Sequence, residues 1–192
     1  MSEDAIRAAC DAKDLSAAIT EALRAYGSEL HGYLIAVTRD DVVASEVFSM
    51  AVEDLWKGLS TFRWDCTFRT WSYTVTRHAL LRYRRDPFRR RAVAEDALLG
   101  DLVAEARSRT QTFLRTETKD KLAEVRASLD PDDQTLLILR INRGLAWREI
   151  ARVMATDEDP APDVDRYAAT LRKRFDRLKD ELRKRMRGDV PT

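Results

Sequence analysis

Apolar residues recur every three or four positions along most of the chain, the period of a helix with one buried face. Leu15, Ala18, Ile19, Ala22, Leu23 and Tyr26, then Leu30, Tyr33, Leu34 and Val37, predict one helix with a bend near Gly27. Asp40 and Asp41 suit the cap of a second helix over about 42–59, which buries Val43, Val47, Ala51 and Leu55. Ser60 and Thr61 break into a loop, and a third helix follows from Thr70 to about Arg85. On it, Tyr73, Arg77, Leu80 and Arg84 form a stripe that reads as a nucleic-acid face, with Trp71, Val75 and His78 toward the core. Pro87 ends that helix.

The pattern weakens over 89–118, where charge is dense and Gly100 interrupts, so this stretch reads as a partly helical linker. Order returns with Leu122, Val125 and Leu129 on one helical face. Asp130-Pro131 then supplies an N-cap and a first-turn proline for a helix over 132–142, burying some of Leu136, Leu137, Leu139 and Ile141. Gly144 ends it. A short helix follows with Trp147, Ile150, Ala151 and Met154 inward. The last helix, about 165–187, carries Leu171, Phe175, Leu178 and Leu182 in a narrow stripe. No segment alternates as a strand does. The fold class is therefore all-α: two small helical domains, 12–88 and 119–188, joined by a linker over 89–118.

Charge changes the picture through clustering, since 34 Lys plus Arg nearly balance 33 Asp plus Glu. Arg77 to Arg91 holds seven arginines and one acid, and Arg166 to Arg187 holds ten basic residues against three acids. Such islands are the footprint expected of phosphate contacts. Between Phe62 and Arg85, six aromatic residues alternate with six arginines. An aromatic face accepts an unstacked base whatever its identity, so the pairing suits opened, single-stranded nucleic acid. Cys10 and Cys66 lack CxxC spacing, and His31 and His78 lack ligand spacing, so no metal or cofactor is expected. No phosphate loop and no nucleophile–base constellation appears, which argues against an enzyme. No apolar run reaches membrane-spanning length and no signal peptide is evident, so a cytoplasmic protein is expected.

Phe62-Arg63-x-Asp65-x-x-Phe68-x-Thr70-Trp71, leading into an aromatic-basic helix, resembles region two of the extracytoplasmic-function (group IV) sigma factors of RNA polymerase. Their usual pattern is F-R-G-D-x-x-F-x-T-W. The resemblance implies a loop that captures a flipped base of the minus-ten element, then a helix on the melted strand. It assigns that role to Phe62, Arg63, Trp64, Asp65, Phe68, Arg69, Trp71, Tyr73, Arg77 and Arg84. Farther on, Gly144-Leu145-Ala146-Trp147-x-Glu149-Ile150-Ala151 and Thr170-Leu171-Arg172-Lys173-Arg174-Phe175 resemble the region-four helix-turn-helix. There Thr170, Arg172, Lys173, Arg174 and Arg177 would contact the minus-thirty-five element. The implied partners are promoter DNA and core RNA polymerase, met through its β′ coiled coil and β flap.

The chain departs from that family in several places. His78 and Arg82 stand where Asn and Asp are common. A turn about ten residues longer than the family's lies between Met154 and Thr170, over 155–165. The acidic polymerase-docking segment is reduced to Val43–Met50 with Glu46 as its one carboxylate, so Glu46, Phe48, Ser49 and Glu53 are the core-binding candidates. Some members with so depleted a segment are switched on by a Ser/Thr kinase, the phosphate supplying the missing charge. Thr61, with Ser60, Ser45 and Ser49 behind it, is the expected phosphorylation site. An anti-sigma factor is an alternative controller. The alternative function is a helix-turn-helix regulator that binds duplex DNA without polymerase.

Overall fold

The computed structural model describes residues 2–85, 97–116, 129–155 and 163–187. Pro87, the Leu122–Val125 face and most of the 155–165 insertion lie outside them. The chain divides into two compact units, Met1–Glu117 and Thr118–Thr192. All regular structure among the described residues is helical, and none of these helices is long and apolar enough to cross a membrane.

In the first unit, α1 (Ser2–Asp11), α2 (Leu15–Thr38), α3 (Asp41–Leu59), α4 (Phe68–Arg85) and α5 (Ala97–Thr116) pack around α2. The side chain of Asp14 caps α2, accepting from the Ala17 N–H, and Asp40 caps α3, accepting from Val42 and Val43 at 2.9 and 3.0 Å. Each such cap stabilises its helix by about 1 kcal/mol. The core holds Ile19, Leu23, Leu30, Tyr33 and Leu34 of α2 against Val47, Phe48, Ala51 and Leu55 of α3. Gly27 does not break α2. A Cβ there would stand 2.8 Å from that of Ala106, so the glycine is the seat on which α5 lies. Leu99, Leu102, Val103 and Ala106 of α5 are buried, and over 97–116 the segment expected to link two domains is a packed helix of the first unit.

In the second unit, α6 (Pro131–Leu137) runs into a π-helical turn (Ile138–Asn142), followed by α7 (Trp147–Met154) and α8 (Val164–Arg187). Leu136 to Leu139 are buried, but Ile141 is 54% exposed. The wider turn fits one more residue per turn than helical spacing assumes, which takes Ile141 off the apolar face. Gly144 at φ 66° then closes the helix, with the Leu145 N–H reaching the Leu139 carbonyl at 3.1 Å. Ile150, Ala151 and Met154 meet Leu171, Phe175 and Leu178 of α8 in the core, and Trp147 lies edge-on to Phe175 at 5.4 Å.

Candidate nucleic-acid interface

The turn after α3 carries Phe62 onto the start of α4, and four rings gather there. Phe62 stacks on Trp71 with centroids 4.6 Å apart, meets Trp64 at 4.8 Å and meets Phe68 edge-on at 5.8 Å. Phe68 is buried, whereas Phe62, Trp64 and Trp71 each keep part of their surface open to solvent. Gly58 makes room for the cluster: a Cβ there would approach the Trp71 indole to 2.9 Å. Trp64 takes φ 60°, the left-handed region that disfavours a bulky residue by about 1–2 kcal/mol. Ring contacts of about 0.5–1.5 kcal/mol each offset that strain. The family pattern has glycine here, and the backbone conformation explains why glycine is the easy choice.

The first turn of α4 is held from two directions. Thr67 Oγ1 accepts from the Thr70 N–H at 3.1 Å, and the Thr67 carbonyl accepts from Trp71. The two preceding N–H groups, of Phe68 and Arg69, go to the carboxylate of Glu3 in α1 at 2.9 and 3.0 Å. Nothing in the periodicity of the first eleven residues pointed to Glu3; its only sequence signal is an acid in the first turn of a short amphipathic segment.

The expected nucleic-acid stripe on α4 faces inward. Tyr73 is fully buried and Arg77 and Leu80 nearly so. The Tyr73 hydroxyl donates to Glu29 at 2.9 Å, and the Arg69 guanidinium forms a two-nitrogen ion pair with the same carboxylate. Trp71, Val75 and His78, expected in the core, are instead half-exposed, on one stripe with Thr74, Arg82 and Arg85. The inversion has a physical cause: the buried side of α4 contains Ser72, Thr76, Tyr73 and Arg77, and polar groups can be buried there because Ser72 and Thr76 donate to the Arg69 and Ser72 carbonyls of the helix itself and Tyr73 reaches Glu29 of α2. Arg84 is exposed, as are Arg63 and Asp65, which pair with each other at 3.3 Å. Arg82 pairs with Asp54 at 2.5 Å.

Along α3, Val42, Glu46, Ser49, Glu53 and Lys57 share the outward side, and Val42 is 68% exposed. Glu46 accepts from the Tyr83 hydroxyl at 2.7 Å. Two candidates on this helix turn inward. Phe48 is wholly enclosed against His31 at 5.2 Å, and Ser45 is buried with its hydroxyl 3.4 Å from His31 Nε2. Burial pushes the His31 imidazole down to about 4; nearby Arg107 acts in the same direction and Asp41 opposes it. Ser60 and Thr61 are exposed just past the end of α3, with Thr61 Oγ1 donating to the Gly58 carbonyl at 3.0 Å.

On α8 the cations divide. Arg172, Lys173 and Arg177 are exposed with Thr170, and Arg166 lies a turn earlier. Arg174 turns back to α6, 2.5 Å from Asp133 and 3.7 Å from Asp130. At the other end of this surface Arg148 pairs with Asp165 at 3.0 Å.

Residues 22–92 match the family Sigma-70 region 2. The chain is also 31% identical over 137 residues to the RNA polymerase sigma-H factor of Pseudomonas aeruginosa, covering 67% of this chain and 70% of that protein. It is 28% identical over 138 residues to the RNA polymerase sigma factor YlaC of Bacillus subtilis, covering 71% and 79%. No solved structure matches it.

Proposed function

The chain belongs to the RNA polymerase sigma factors, and on that premise we propose that it is an alternative sigma subunit of the extracytoplasmic-function type. It binds core RNA polymerase and promoter DNA and directs initiation without catalysing a reaction itself. The observation that carries this is the partly open nest of Phe62, Trp64 and Trp71 at the head of α4. Rings left partly open beside a basic helix are suited to stack bases of a separated strand.

In this reading 12–88 belongs to region two and 119–188 to region four, and 89–118 leads from one to the other with 97–116 packed within the first unit. The opened strand runs from Phe62, Trp64 and Trp71 along the outer side of α4, past His78 to Arg82 and Arg85, with Arg63 and Arg84 near phosphates. Tyr73, Arg77 and Arg69 shape the helix from behind. The minus-thirty-five contacts are Thr170, Arg172, Lys173 and Arg177, and Arg174 fixes α8 to α6. Polymerase docks on the outer side of α3 through Val42, Glu46, Ser49 and Glu53, with Phe48 supporting them from within.

Phosphorylation, by a Ser/Thr kinase, is the regulatory reading that belongs to the same surface. A phosphate on Ser49 would stand between Glu46 and Glu53 and add roughly two negative charges to the docking side. On Thr61 or Ser60 it would follow the last turn of α3, where the helix carbonyls disfavour an anion. Thr61→Glu and Ser49→Glu, each compared with its alanine counterpart in polymerase pulldown, separate these sites; equal binding by all four would exclude the switch and leave an anti-sigma factor as the controller to seek.

Run-off transcription on promoter fragments tests the main reading. Transcripts are expected only when the protein and purified core polymerase are both present. A footprint on duplex DNA by the protein alone, with no core-dependent transcript, would instead identify a helix-turn-helix regulator.

A further inference from the structure

We propose that α1 is a working part of the opened-strand site, with Glu3 and Arg7 as positioning residues that hold the aromatic nest in its receiving form. The inference rests on the sigma-subunit reading and extends it to a helix that lies outside the 12–88 segment.

Three residues within about one turn of α1 divide the labour. Ile6 is fully buried and anchors α1 on α2. Glu3 leaves the core alone and reaches the head of α4. Its carboxylate accepts from the Phe68 and Arg69 N–H groups and, at 3.1 Å, from the Tyr26 hydroxyl. Those two N–H groups are orphans of the first helical turn, and the positive end of α4 favours the carboxylate there. Phe68 and Arg69 are also the residues through which the nest joins the Glu29 network. A displacement of this turn therefore moves the rings directly.

Arg7, exposed on the same helix, places its guanidinium 5.2 Å over the Trp64 indole. Trp64 is the one nest residue in the left-handed region, so its position depends on contacts rather than on backbone preference. Phe62 holds one side of it and the Arg7 cation supplies another. With α1 in place, the caps and the ring positions are set before any strand arrives. Preorganisation of this kind lowers the ordering cost of binding.

The test uses holoenzyme assembled from core polymerase and the full chain, with wild type, Arg7→Ala, Arg7→Lys and Glu3→Gln compared. Two probes are needed from a promoter that supports transcription: a fork whose minus-ten segment is single-stranded, and the same sequence fully duplex. Arg7→Ala should weaken fork binding about threefold to fivefold, with core affinity, duplex binding and melting temperature unchanged. Arg7→Lys should recover most of the loss, because an ammonium still sits over the indole. Glu3→Gln should weaken fork binding by a similar factor. Wild-type fork affinity in both Arg7→Ala and Glu3→Gln would overturn the proposal, as would parallel losses on both probes that track a lower melting temperature. Failure to bind core polymerase by the unaltered chain and by Ser49→Glu and Thr61→Glu alike would remove the sigma-subunit reading and this inference with it, and is distinguishable because it needs no change at Glu3 or Arg7.

Discussion

The helices α4 and α8 place their arginines differently. On α4, Arg69 is drawn onto Glu29 and Arg77 into the core, while Arg82 stays exposed but is paired with Asp54. What stays partly open at the head of α4 is aromatic, the Phe62, Trp64 and Trp71 rings, while Arg63, Arg84 and Arg85 are exposed. On α8, Arg172, Lys173 and Arg177 remain in solvent while Arg174 turns back. The contrast teaches that a basic island marks phosphate contacts only after the carboxylates on neighbouring helices have been counted. It also matches the two halves of the proposed task. A separated strand offers bases to stack on, whereas duplex DNA offers a dense row of phosphates.

The largest expected effect comes from removing Glu29. Glu29→Ala takes the shared acceptor from Arg69 and Tyr73 and should lower the stability of the first unit by about 3 kcal/mol, near the lower bound for breaking a buried pair because both side chains keep some exposure. Chemical denaturation followed by tryptophan fluorescence reads this, and a loss under 1 kcal/mol would mean the arginine is not structural.

Next is the pH response of the same unit. His31 is held neutral, with its pKa lowered from 6.5 to about 4 by burial. Between those values the unfolded chain binds more protons than the folded one, so stability must fall as pH drops through that window. The slope is at most about 1.4 kcal/mol per pH unit. His31→Gln should flatten this part of the profile; an unchanged slope would assign it to other groups.

A smaller effect is expected at Arg174. Arg174→Ala should cost the second unit about 1 kcal/mol, the upper range for a half-exposed ion pair, and leave the salt dependence of promoter binding as it was. Smallest in stability, and opposite in function, are Lys173→Ala and Arg177→Ala. Each should leave unfolding unchanged while reducing the salt slope of holoenzyme binding to duplex promoter by about one. If Arg174→Ala instead reduced the slope and these two did not, the division of cations on α8 would be reversed.

Much of this architecture could be read from spacing alone. The Leu15–Val37 stripe, the Asp40 and Asp130 caps and the Gly144 stop mark α2, α3 and the α6 turn near their observed limits, because each is a local signal. The loop motif located the aromatic nest for the same reason. The face of α4 was not legible. Its buried side is lined by Tyr73, Thr76 and Arg77, and the acceptor Glu29 that makes this tolerable lies 44 residues from Tyr73. Glu3 is farther still, 65 residues from Phe68. Ile141 escaped because a π turn changes the period on which the reading depends. Long-range polar pairing and altered helical period leave no mark in a pattern of apolar residues.

The most direct test of the central claim, that this chain opens promoter DNA only as a subunit of polymerase, is permanganate reactivity of thymines on a duplex promoter fragment. The account predicts reactive thymines with core polymerase and the protein together, none with either alone, and a marked loss when Trp71→Ala replaces the wild type. Reactivity with core polymerase that survives Trp71→Ala undiminished would contradict the role given to the rings. No reactivity in any mixture, on a promoter the protein footprints by itself, would contradict the sigma-subunit account as a whole.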